Sequence, residues 1–176
     1  MTNIVYIAQS LDGYIAGPNG ELDWLEQIDN PTHDDFGFTE FMSQVDALIM
    51  GRNTYEKVLS FGQWPYDKPV YVASSQLTEI PETLNGKAFI VNGSPHQMLS
   101  KLKAEGHSAF YIDGGALIQS FIREDLIDEL IITTVPVILG EGIRLFGHSE
   151  KSVRLKLTSS GVLLNQLVKT HYVVER

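Results

Sequence analysis

The 176-residue chain contains no cysteine. That excludes disulfides, a thiolate nucleophile and cysteine-ligated zinc. No apolar run approaches the roughly 20 residues that a membrane helix needs. The first residues, Met1-Thr2-Asn3-Ile4-Val5, show no basic segment leading into a long apolar stretch. No secretion signal is therefore expected, and a cytoplasmic location is. Basic residues are scarce, 13 Lys and Arg against 22 Asp and Glu, for a net charge of −9. Without a basic patch, nucleic acid is not an expected partner. The scarcity is uneven. From Met1 to Glu56 the only Lys or Arg is Arg52, against ten acidic residues. An anionic ligand meeting this half must be held by Arg52 and by backbone N–H groups.

What the chain does have is ordinary globular composition, 43% hydrophobic and 20% charged. A single domain spanning residues 1–176 can bury a sizeable core. One pattern occurs twice: a buried strand runs into glycine and then a helix. The first copy is Ala47-Leu48-Ile49-Met50-Gly51-Arg52-Asn53-Thr54-Tyr55. The second is Phe110-Tyr111-Ile112-Asp113-Gly114-Gly115-Ala116-Leu117-Ile118. Glycine lets a ligand approach the backbone, and the helix start offers unpaired N–H groups and the positive end of its dipole. Two such junctions suit a ligand with more than one phosphate. A tight connection requiring positive φ is the alternative explanation of Gly114-Gly115.

Short apolar runs alternate with helical patterns, as in an α/β fold. Strands are predicted at Asn3–Ala8, Ala47–Met50, Pro69–Ala73, Ala88–Val91, Ala109–Ile112 and Glu129–Val135. Helices are predicted at Asp34–Gln44, from an Asn53 or Thr54 cap to Ser60, from Ser94-Pro95 to Gly106, and over Ala116–Arg123. Leu11–Gly20 and Pro136–Phe146 read as irregular. Val153, Leu155 and Leu157 alternate with Arg154, Lys156 and Thr158, giving a half-exposed strand. Ser159-Ser160-Gly161 is expected to turn the chain into a last strand ending near Val174. The middle reads as crossover βαβ units and the C-terminal part as antiparallel.

Ser74-Ser75 follows a strand, where hydroxyls can meet phosphate or ribose or simply form a turn. Asp34 and Asp35 fit the first turn of a helix. Asp35 also lies seven residues before Met42, on the apolar face, where a carboxylate could orient or protonate a heterocycle. Both readings stand at this point. His33 has no histidine partner at ligand spacing, so no metal is expected.

Three segments, Ser10–Ala16, Leu48–Glu56 and Tyr111–Ala116, together resemble the dihydrofolate reductase-like superfamily. The nearer branch is that of the reductase domain of bifunctional riboflavin biosynthesis enzymes. Asp128-Glu129-Leu130, Pro136–Gly142 and Phe146 resemble that branch too. The resemblance implies a three-layer α/β/α fold with a central, mostly parallel mixed sheet and antiparallel C-terminal strands. It implies an NADPH-dependent reductase that passes hydride to a heterocycle or ribosylaminopyrimidine-like substrate, as a 5-amino-6-(5-phosphoribosylamino)uracil reductase does. A dihydrofolate reductase, or an NADPH-binding module without turnover, are the alternatives. By the same resemblance, Gly51, Arg52, Asn53 and Thr54 meet cofactor phosphates. Ser74 and Ser75 lie near the adenosine 2′-phosphate, and Gly114, Gly115 and Ala116 cradle the pyrophosphate. Ala8, Ile15 and Ala16 flank the nicotinamide, and Leu11–Gly20 is a flap. Asp35, sixteen residues before Gly51, takes the position of a substrate-binding carboxylate and of the proton donor. A homodimer is also implied.

Overall fold

The computed structural model describes all of residues 1–176. Ten strands and five short α-helices follow one another along the chain. The strands are β1 (Thr2–Ser10), β2 (Tyr14–Ala16), β3 (Ala47–Gly51), β4 (Val70–Ala73), β5 (Ala88–Val91), β6 (Ala109–Asp113), β7 (Glu129–Val135), β8 (Ile143–Arg144), β9 (Arg154–Leu163) and β10 (Leu167–Glu175). The helices are α1 (Asp23–Glu26), α2 (Phe38–Ser43), α3 (Arg52–Ser60), α4 (Pro95–Ala104) and α5 (Gly115–Arg123). Eight strands form one sheet in the order β5-β4-β3-β6-β1-β7-β10-β9. The first six are parallel; β10 runs antiparallel to β7, and β9 to β10.

Successive strand residues point to opposite faces, so each apolar strand feeds two cores. Ala47, Ile49, Phe110, Ile112, Leu130 and Ile132 pack on one side with α4 and α5, through Met98, Leu99, Leu102, Ile118 and Phe121. Leu48, Met50, Val70, Val72, Tyr111 and Ile131 pack on the other with Phe41 of α2 and Tyr55 of α3. The result is the expected three-layer α/β/α arrangement. A third cluster of Trp24, Val135 and Leu167, with Ala8 and Phe36 against it, sits at the carboxyl end of β1.

Four local expectations are corrected. The helix expected over Asp34–Gln44 is only Phe38–Ser43, because His33, Phe36 and Gly37 take left-handed φ of 51°, 57° and 81°. These values break any helical run through Asp34 and Asp35. The helix after β3 starts at Arg52, with extended Gly51 as its cap residue, so neither Asn53 nor Thr54 caps it. Ser159-Ser160-Gly161 does not turn the chain. Those residues remain in β9, and the hairpin turns at Leu164-Asn165, both left-handed at φ 52° and 57°. Small polar residues beside glycine read as a turn, yet cross-strand pairing holds them extended. Finally, neither Leu11–Gly20 nor Pro136–Phe146 is wholly irregular: β2 of the first pairs with β8 of the second.

The β9–β10 hairpin closes one end of the sheet, with β9 as its edge strand. Val153, Leu155, Leu157, Val162 and Val168 remain exposed. Beside it an apolar trough of about 260 Å³ is lined by Ile122, Ile127, Phe146, Val153, Leu155 and Val174 among others.

Candidate active site

The order of the strands decides where the two glycine junctions go. The chain leaves β3 outward toward β4 and β5, returns to β6 beside β3, and then crosses β1 to reach β7. The helices after β3 and β6 therefore lie on opposite faces, and the sheet has its switch point between these two strands. A crevice opens there at the carboxyl ends of parallel strands. Met50 pairs with Asp113 in register, which places Gly51 beside Gly114. A Cβ on Gly114, whose φ is 99°, would lie 2.5 Å from Thr54 Oγ1 and 3.5 Å from the Gly51 nitrogen. The two junctions thus touch, and they need the missing side chain to do so.

Neither α3 nor α5 has a side-chain cap hydrogen bond. By contrast, Ser94 and Gln97 form a complete capping box on α4. Two nine-residue helices therefore bring uncapped N–H groups and dipole ends to one crevice. That cradle, shaped by absent Cβ atoms and lacking its own acceptors, fits a pyrophosphate. Asn53 is exposed and Thr54 half-buried; Ala116, one residue into α5, is exposed.

Arg52 flanks this crevice. Its Nη1 donates to Gln76 Oε1 at 2.5 Å, and Nε lies 3.6 Å from Glu56 Oε1. Gln76 belongs to the loop after β4, so Arg52 and Ser74-Ser75 are brought to one edge. Ser74 Oγ accepts from the N–H groups of Gln76 and Leu77. Ser74 thus shapes its turn while its hydroxyl proton stays free to donate; Ser75 is exposed.

On the other side lies the flap. Asp12 accepts from Ser10 Oγ at 2.6 Å, Leu139 N at 3.1 Å and Gly140 N at 2.8 Å. These bonds, led by the Ser10 hydroxyl, hold its carboxyl down at about 2. Tyr14 N donates to Ser10 Oγ. Gly142 packs so tightly on the Ala16 carbonyl that a Cβ there would collide. Ile15 reaches the start of α5, where its Cδ1 would be 3.0 Å from a Cβ on Gly115. Ile15 thereby meets Gly115 and Ala16 meets Gly142, while Ala8 of β1 packs with Trp24, Val135 and Leu167.

Asp35 is exposed and sits before its helix. Its carboxylate accepts from Gly37 N at 2.8 Å and Thr39 N at 3.0 Å. Hydrogen bonds from Thr39 and then Gly37 hold its pKa below the usual carboxylate range. This is the geometry of a cap, with the proton affinity moved away from that of a donor. The loop is clamped from below: Lys169 Nζ donates to the Phe36 carbonyl at 2.6 Å, as does Tyr6 OH at 2.7 Å.

The one carboxyl whose proton affinity is raised lies elsewhere. Asp113, half-buried by area, ends β6 immediately before the cradle, on the same face as Tyr111 and α2. Desolvation pushes it up to about 6, against the pull of the Gly114 N–H and the Tyr111 hydroxyl. No other carboxyl in the protein is clearly shifted upward. Burial and then the charge of Asp113 raise the Tyr66 phenol. Sequence reading absorbed Asp113 into the glycine motif. The available signal was a lone charge closing an otherwise apolar strand.

No group of three or more His, Asp or Glu side chains is arranged to hold a metal. No helix is long and apolar enough to cross a membrane.

The mostly parallel α/β sheet, its switch-point crevice and its antiparallel C-terminal strands define a dihydrofolate reductase-like fold. Comparison with known proteins gives the family. The RibD C-terminal domain model matches residues 2–169, and the chain belongs to that family. It is 41% identical over 177 residues to YwjB of Bacillus subtilis (strain 168), a protein of uncharacterised function, covering 97% of this chain and 96% of that one. A Shewanella sp. PV-4 protein with a proposed role in riboflavin biosynthesis, known from its crystal structure, shares 48% identity. The TM-score is 0.96, with all of both chains covered. Dihydrofolate reductase from Enterococcus faecalis, solved with NADP(H), shares the fold at TM-score 0.69 and 17% identity, covering 99% of this chain and 97% of that one.

Proposed function

We propose that this protein, acting as one domain over residues 1–176, is an NADPH-dependent reductase of a small nitrogen heterocycle or ribosylaminopyrimidine-like compound. The observation that carries the reading is the contact of Gly51 with Gly114 between two uncapped helix N-termini. NADPH supplies the hydride when bound. In this reading the N–H groups of α3 and α5 take the pyrophosphate between Gly51, Asn53 and Thr54 on one side and Gly114, Gly115 and Ala116 on the other. Arg52, with Ser74 and Ser75, meets the adenosine 2′-phosphate, which selects NADPH over NADH. Ala8, Ile15 and Ala16 form the wall beside the nicotinamide, and the pinned flap excludes water.

Hydride arriving at the carbon of a substrate C=N bond leaves an electron pair on nitrogen, which must take one proton. In this reading Asp113 supplies it, because a carboxyl near pKa 6 retains a proton in a fraction of molecules at neutral pH. Asp35 shapes the substrate-side loop through its bonds to Gly37 and Thr39.

The reading includes a cytoplasmic location and a homodimer. The exposed apolar side chains of β9 and β10, over which no helix packs, support the latter. The test is thermal unfolding with NADPH and with NADH, followed by NADPH oxidation in the presence of pterins and ribosylaminopyrimidines. Stabilisation by NADPH together with turnover supports the reductase. Stabilisation without turnover supports the binding module, and no stabilisation refutes both.

A further inference from the structure

Helix α2 covers only part of its side of the sheet. Phe41 stacks on Tyr6 of β1 at 4.6 Å between ring centres. The core built with α2 and α3 takes in Ile131 of β7 but no residue of β9 or β10. Register sets what lies beyond it. Tyr6 pairs with Ile131, Ile131 with His171 and His171 with Ser159, while Lys169 pairs with Gly161. Directly paired residues share a face, so all of these positions face the side of α2. An open cleft of about 380 Å³ is left there, lined by Tyr6, Phe41, Ile131, Ser159, Lys169 and His171 among others.

This cleft holds a cation without a counter-ion. Lys169 is half-buried, and its Nζ donates to the Phe36 carbonyl at 2.6 Å and to the Tyr6 hydroxyl at 3.4 Å. Both partners are uncharged, and none of the protein's ion pairs includes Lys169. An ammonium has three N–H groups, so one remains. Burial lowers the lysine's pKa, and Glu40, Asp35 and Asp34 offset part of that through space. Of these three, only Glu40 lines the cleft. The other carboxylate on this face is engaged, since Glu129 Oε2 lies 2.7 Å from His171 Nε2. Beside the lysine the lining is apolar, with Phe41, Ile131 and Leu163.

We propose that this cleft binds a small organic monocarboxylate with a flat apolar body. The carboxylate takes the remaining N–H of Lys169 and the Ser159 hydroxyl, and the body lies on Phe41, Ile131 and Leu163. A charge-assisted bond to a half-buried ammonium is stronger than the neutral bonds Lys169 makes now. One negative charge suits the cleft and two do not, because Glu40 also lines it. None of these residues belongs to the proposed cofactor site, so the inference stands apart from the reductase reading. Gly37 also lines the cleft, which therefore adjoins the loop that Asp35 caps.

The test is isothermal titration calorimetry on the full chain without NADPH. Benzoate is the probe, with benzyl alcohol as the neutral control and phthalate as the doubly charged one. Benzoate is expected to bind one site per chain, at least about tenfold more tightly than either control. Gly161→Phe checks the place. Gly161 has no positive φ and nothing within 4 Å of a built Cβ, and it shares the face of Lys169, so a ring there fills the cleft without strain. This variant should keep the wild-type Tm or exceed it, and lose benzoate binding. Lys169→Met should lose it too, at a lower Tm because the Phe36 carbonyl is released. The proposal is overturned if benzoate shows no saturable binding, if benzyl alcohol binds as tightly, or if folded Gly161→Phe binds benzoate as wild type does.

Discussion

Replacing Gly114 by alanine tests the contact on which the proposed cofactor site rests. Two penalties are expected. The backbone at φ 99° is one that an L side chain rarely adopts, costing about 1 kcal/mol. The new Cβ would also stand 2.5 Å from Thr54 Oγ1 and 3.5 Å from the Gly51 nitrogen. Relieving that overlap moves Thr54 or separates the two junctions, at about 2 kcal/mol more. The sum, about 3 kcal/mol, lowers Tm by roughly 6–12 °C in a chain of this size. Gly106 is the internal control, since it has the same φ of 99° but nothing within 4 Å of a built Cβ. Gly106→Ala should therefore show only the backbone part, about 1 kcal/mol. Urea unfolding of both variants separates the two penalties. Thermal shifts with and without NADPH then show whether the cradle has opened, with a tenfold weaker affinity equivalent to about 1.4 kcal/mol. If Gly114→Ala is no more destabilising than Gly106→Ala and keeps the full NADPH shift, the paired-junction argument is wrong.

Arg52→Ala should weaken NADPH binding about tenfold while hardly changing apo stability, because its bonds to Gln76 and Glu56 are at the surface; unchanged affinity in fluorescence titration removes the role assigned to it. Asp113→Asn should reduce turnover by about 10²-fold or more. It should also change the pH dependence of stability. The folded pKa near 6 lies above the unfolded value near 4, so the folded state binds the extra proton. Wild type should then lose stability relative to Asp113→Asn as pH rises from 4 to 6, and parallel pH–stability curves would contradict this assignment. Asp35→Asn should cost a little stability through the cap and leave NADPH affinity intact; a large fall in turnover would restore Asp35 as a direct participant. Leu157→Glu combined with Val162→Glu should give monomers in sedimentation velocity if the exposed face of the hairpin is the dimer contact, and an unchanged sedimentation coefficient would exclude that face.

The core strands and the longer helices were legible because their signals are local. Leu48-Ile49-Met50 and Phe110-Tyr111-Ile112 are apolar on both faces, as strands inside a covered parallel sheet must be. Ser94-Pro95 followed by Gln97 announces α4 from sequence alone. The extent of α2 was not legible, since a helical spacing of Phe38, Phe41, Met42 and Val45 says nothing of the left-handed residues at His33 and Phe36. Phe36 is held through its carbonyl by Lys169 and Tyr6, which are distant in the chain. The β2–β8 pair and the Leu164-Asn165 turn were hidden for the same reason, because a partner elsewhere in the sequence decides them.

By itself the sequence determined the class of the fold, the two strand–glycine–helix junctions and the acidic balance of the N-terminal half, because periodicity, glycine placement and charge are properties of short segments. Only the tertiary structure decided that Gly51 and Gly114 touch, that Asp35 serves as a cap and that Asp113 carries the raised pKa. Each of those depends on strand order and desolvation, which arise when segments far apart in the chain exclude water together.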